Sequence, residues 1–113
     1  MPVTTNTAGL KRIRAQLDGA IDRGAARGAG MIADLARQFV PVDEGDLRDT
    51  IRVTPKPGSG KGQYAVAAGS KDVNYAGFVE FGTVDSPAQP YMRPAHDAID
   101  VTAEVAEELR KLR

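Results

Sequence analysis

The sequence predicts an α+β domain, and three observations predict it. An apolar stripe at helical spacing runs from about Asn6 to Phe39. Two short alternating stretches between Ile51 and Gly69 read as a β-hairpin with a long tip. A second helical pattern runs from about Pro94 to Leu112. Helices from the two ends of the chain then pack on the hairpin.

At 113 residues the chain has the length of one domain, taken as residues 1–113 with a polar, frayed start at 1–6. Folding at that size buries roughly two thirds of the unfolded surface, enough for one modest core. Hydrophobic residues make up 42% and aromatics 5%, so the core is built from Ala, Val, Ile and Leu. Such a core gains less per residue on burial, which favours extra burial against neighbouring subunits. Fifteen basic and fifteen acidic residues cancel, which argues against a dedicated nucleic-acid binder. Residues 1–40 carry six basic and three acidic groups, and residues 95–113 carry three and five. That asymmetry suits head-to-tail contact between copies; it also fits two solvated helix faces.

In the first helix Leu10, Ile13, Leu17, Ile21, Gly28, Ile32, Leu35 and Phe39 share one stripe, and Arg12, Asp18, Asp22, Arg23 and Asp34 lie opposite. Gly24 and Gly28 sit inside the stripe, where each costs up to about 1 kcal/mol relative to Ala. Either another backbone packs closely against them, or the chain bends near Gly24–Gly30 into two shorter helices.

Pro41 ends the helix. Asp43 is then the expected N-cap of a short helical turn. The acidic residues Asp43, Glu44, Asp46 and Asp49 do not have calcium-loop spacing and are read as structural. Ile51–Thr54 and Tyr64–Gly69 are the hairpin strands, joined by a tip at 55–62. Gly60-Lys61 lacks the other residues of a phosphate loop and no helix follows it. Asn74 caps a helix over Tyr75–Phe81, which Gly82 ends. Thr83–Gln89 is a loop, and the Gln89–Pro90 bond is a candidate cis peptide. Tyr91–Arg93 reads as an extended segment or strand. Pro94 opens the last helix, with Ala95, Ala98, Ile99, Thr102, Ala106 and Leu109 inward and Asp97, Asp100, Glu104, Glu107 and Glu108 largely outward.

The chain has no cysteine, and its single histidine is His96. That leaves no thiolate nucleophile, no Cys-based zinc site and no supported catalytic histidine. No cofactor and no metal are expected. The N-terminus lacks a signal-peptide core and no apolar run is long enough to span a membrane. The stretch Tyr75–Ala95 holds four of the six Phe and Tyr residues and three of the seven prolines. Within it Glu80 and Arg93 are the pair of interest. Unpaired charges there would be costly if buried, so the two are expected to pair, within one subunit or across an interface, and fix the 82–93 loop. The alternative is two separate exposed charges. Phe81, Tyr91 and Met92 join them as interface or loop-fixing candidates.

The segments PVDEGDLRDTI (41–51), YAGFVEFGT (75–83) and PAQPYMRPA (87–95), in that order ahead of a final helix, resemble the gene-product-ten-like proteins of HK-ninety-seven-type siphophages. The resemblance covers about residues 38–113. It implies helices on a small, mostly antiparallel sheet. It also implies a non-enzymatic virion protein at the neck or head-proximal end of the tail, in head–tail joining or tail completion. The implied partners are further copies in a ring, expected to be a hexamer, and neighbouring neck and tail proteins. DNA is implied only as cargo passing through the lumen, and no membrane is involved. Synthesis in the bacterial host cytoplasm and residence in the virion follow. Two readings from other classes remain: a small DNA-binding module, which would show a steep salt slope, and a small hydrolase using His96 with Asp97 or Glu80.

Overall fold

The computed structural model describes residues 7–41, 43–55 and 63–112. Their order is α1 (Thr7–Phe39), α2 (Gly45–Thr50), β1 (Arg52–Pro55), β2 (Tyr64–Ala67), α3 (Ala76–Phe81), α4 (Met92–Ala98) and α5 (Val101–Arg110). The fold is α+β, with helices from both ends of the chain against a two-stranded antiparallel sheet.

α1 is a single helix of 33 residues, about 50 Å long. It does not break near Gly24–Gly30. The reason lies in what covers the glycines. An added Cβ at Gly24 would sit 2.5 Å from the Val105 Cα and 2.9 Å from the Glu104 carbonyl oxygen. At Gly28 it would sit 3.0 Å from both Val101 methyl groups. α5 therefore runs antiparallel along α1 with backbone nearly touching backbone. The packing gained there offsets the helix propensity lost.

The core lies under the C-terminal half of α1. Ile32, Ala33, Ala36 and Val40 meet Leu47, Ile51, Tyr91 and Ala95. The hairpin closes one side, with Val53 opposite Val66 and Pro55 opposite Tyr64. Its base is locked by Thr50, whose hydroxyl donates to the Leu47 carbonyl at 2.7 Å and accepts the Gly69 N–H at 2.7 Å. Arg52 adds a bond to the Gly69 carbonyl at 2.9 Å. Gly69 has φ +93°, a conformation that favours glycine. β2 stops at Ala67, two residues short of the expected end. The expected tip falls mainly on 56–62, outside the described residues.

Several boundaries differ from the sequence reading, each for a local reason. Asp43 does not cap α2 and Asn74 does not cap α3; Glu44 and Tyr75 hold those positions without a side-chain cap bond. Backbone carbonyls start both turns instead, Glu44 O accepting Arg48 N–H and Tyr75 O accepting Phe78 N–H, both at 3.0 Å. The Gln89–Pro90 bond is trans. Tyr91–Arg93 is not a strand: α4 begins at Met92.

The expected single closing helix is two. Ile99 is extended, and Asp100 caps α5 by accepting the Ala103 N–H at 3.2 Å. An aspartate competes well for that position. The break also resets the helical phase. Val101, Glu104, Val105 and Glu108 now face α1, so Glu108, expected outside, is 5% exposed.

Candidate functional site

Glu80 lies on α3, a short helix that Gly82 terminates at φ +78°. A side chain at Gly82 would press within 2.6 Å of the Ala88 nitrogen, so the chain can double back only over glycine. That return brings Tyr91–Arg93 to the Glu80 carboxylate. Its Oε1 accepts the N–H groups of Tyr91 at 3.0 Å and Met92 at 2.8 Å, and its Oε2 accepts the Arg93 N–H at 3.2 Å. These are the opening donors of α4, which have no partner inside the helix. A carboxylate at a helix start is also favoured by the backbone dipoles.

The expected Glu80–Arg93 ion pair is therefore replaced within the chain. Glu80 holds the backbone of Arg93, and among the described residues the Arg93 guanidinium makes no ion pair. Glu80 is buried and Arg93 exposed. Tyr91 is buried beside them and donates its hydroxyl to the Ala76 carbonyl at 3.2 Å. Burial first, and the Glu80 charge second, push its phenol above the ordinary value. Met92 is half-buried against the core.

The other face of α3 is bare. Phe78 is 64% exposed and Phe81 80%. Phe78 borders a cleft of about 300 Å³, lined also by Pro41, Asp43, Glu44 and Tyr75. The Tyr75 phenol is raised by burial first and then by the charges of Glu44 and Asp46. Phe81, Met92 and Arg93 border a second, more apolar groove of about 430 Å³ that reaches His96.

At the far end of α1 lies a second unpartnered surface. Leu10, Ile13, Leu17 and Ile21, the first half of the predicted stripe, are 56%, 54%, 42% and 38% exposed. Every residue from Leu10 to Asp18 is exposed. The covered part of α1 starts at Ala20, where α5 and the hairpin reach it. Tyr64 donates to Asp22 Oδ1 at 2.8 Å, and that bond is the main reason its phenol is raised. Asp22 thus meets the hairpin rather than solvent alone.

The sequence reading missed one charged cluster. Buried Glu108 pairs with Arg27, with Arg23 at 3.3 Å and with Lys111 at 3.3 Å, and Arg27 also reaches Glu104 at 3.4 Å. The signal was present as complementary spacing, with Arg23 and Arg27 four apart and Glu104 and Glu108 four apart. Only the break at Ile99–Asp100 turns both glutamates toward α1.

His96 is exposed, and no side chain among the described residues hydrogen-bonds to its ring. No group of three or more His, Cys, Asp or Glu among them is placed to hold a metal ion. No helix described is long and apolar enough to cross a membrane.

A comparison with family models finds the tail-component family named for gene product 10 of bacteriophage HK97, matched over residues 7–82. The match takes in α1, which the motif resemblance did not reach, and stops before PAQPYMRPA (87–95). No match was found among curated proteins or among solved structures. The family match spans the long helix, the hairpin and the Glu80 helix, and on that extent the chain belongs to the HK97-gp10-like family of bacteriophage tail components.

Proposed function

We propose that this structural tail component works at the neck or head-proximal end of a long-tailed phage or prophage tail. There it joins or completes the tail as a ring around the DNA channel, with six copies expected. The observation that carries this reading is the bare apolar stripe Leu10–Ile21. A helical segment of that length is marginal in water without a packed face, and four aliphatic side chains in one line call for a neighbour. The other unpartnered surface, around Phe78 and Phe81, gives the subunit two contact regions, the minimum for a ring. The partners in this reading are further copies and adjacent neck and tail proteins. DNA passes through the lumen without base recognition, consistent with zero net charge. The protein is made in the host cytoplasm and resides in the virion.

The experiment is to interrupt the gene in the phage or prophage that carries it and to image the particles by electron microscopy. Filled heads and separate tails, with infectivity restored by supplying the protein, are the expected outcome. Intact, infectious particles without the protein would end the reading. Gold-labelled antibody spread along the tail shaft would keep a tail component but remove the neck.

A further inference from the structure

We infer that the N-terminal half of α1 docks into the acidic, Phe78-bordered cleft of a second copy, head to tail. The inference rests on the reading of the chain as a self-assembling tail component and names the surfaces that would join.

Three observations meet here. The first is apolar complementarity. The stripe Leu10, Ile13, Leu17 and Ile21 is exposed, and so is Phe78 at the cleft. The second is charge. Between Thr7 and Ile21 the helix carries Lys11, Arg12 and Arg14 against one carboxylate, Asp18. At about 100° per residue, Arg14 borders the apolar stripe and Lys11 lies next to it. The cleft presents Asp43 and Glu44, and no cation lines it. A helix with basic residues beside an apolar seam therefore meets a cleft that combines carboxylates with an exposed aromatic side chain.

The third observation is distance. Leu17 and Phe39 lie on one unbroken helix, about 33 Å apart, and the cleft begins just beyond, at Pro41. The chain cannot fold its own stripe into its own cleft. Only another copy can bring the two together, and because the surfaces differ the contact is heterologous, closing into a ring or extending as a filament.

The test uses the full chain, which contains no cysteine. Two single variants, Leu17→Cys and Phe78→Cys, are made with different tags, mixed and oxidised. Disulfide formation requires Cα atoms within about 7 Å. Mixed disulfides in excess over both homodimers, and over the same mixture oxidised in denaturant, are expected. Alongside, self-association is followed by light scattering over a concentration series. Ile13→Asp is expected to weaken it at least about tenfold. Arg14→Glu and Glu44→Lys should each weaken it, and the two together should restore it. Arg14 is exposed and Glu44 half-buried, so the folding of each variant is checked by circular dichroism. A strict monomer at every concentration, mixed disulfides no commoner than in denaturant, or association that ignores Ile13→Asp and both charge reversals would each overturn the inference. None of these results bears on where the protein sits in the virion, which the gene interruption reads separately.

Discussion

The two halves of α1 share one helix and one hydrophobic period but live in different surroundings. From Ala20 onward, Ala25, Ala29, Ile32, Ala33 and Ala36 are buried under α5, the hairpin and α4. Before it, Leu10, Ile13 and Leu17 face solvent. The covered half is lined with small residues and the bare half with large ones. Small residues let helices of the same chain approach until their backbones touch, as at Gly24. Large ones leave apolar area on display. Periodicity alone shows which face is apolar; residue size along it shows where the chain covers itself.

The largest expected effect tests what holds α4 against the covered half. Glu80→Ala leaves three backbone N–H groups without their acceptor, the Tyr91 donor fully buried. A loss of about 3 kcal/mol is expected, read as a melting temperature more than about 10 °C lower. Arg93→Ala should leave melting unchanged, because only the Arg93 backbone meets Glu80.

Next in size is the glycine contact. Gly24→Ala must push α5 away, since the obstructing atoms are backbone, and should cost about 2 kcal/mol. Gly30 meets nothing within 4 Å of an added Cβ, so Gly30→Ala should instead gain up to about 1 kcal/mol. Equal responses at the two sites would erase the distinction drawn between covered and open positions of one helix.

The tyrosines give a smaller effect with a definite sign. All three phenols are raised in the folded state. A raised pKa means that the folded state holds the proton more tightly. Their contribution is complete below the ordinary value of about 10 and is lost as pH rises through the folded values. Stability should fall on the alkaline side, with tyrosinate absorbance appearing later in folded than in denatured protein. Tyr64→Phe should remove the part that belongs to the Asp22 bond.

The smallest effect is expected at Leu17. Leu17→Ser in the bare half should change the stability of dilute protein by no more than about 0.5 kcal/mol. A larger loss would mean that this segment is already covered within its own chain.

The α+β class and the long first helix were legible because long stripes average over many residues. The hairpin was legible as two alternating stretches, and its ends moved by one or two residues. Asp43 and Asn74 misled as caps because cap preference is local, while the helix starts were decided by which carbonyl the next turn could reach. The closing helix is interrupted at Asp100, because its side chain competes for a backbone N–H, that of Ala103, and helical periodicity does not register that competition. Within the chain, Glu80 meets the Arg93 backbone and not its guanidinium. Nothing in a residue string says whether a carboxylate meets a neighbour's side chain or its backbone. The exposure of Leu10–Leu17 was invisible for a related reason, because an apolar stripe reads the same whether its cover is its own chain or another.

Gly82 and the Glu80 carboxylate together fix how α3 stands relative to the start of α4. Phe78 and Phe81 project from that braced helix. A socket whose walls are set before anything arrives loses little freedom when it is filled. The ordering entropy of docking then falls almost entirely on the arriving helix, whose unpacked turns have the most to lose. In the ring proposed above, each open contact would be weak by itself, and the join that closes the circle would be intramolecular and firm.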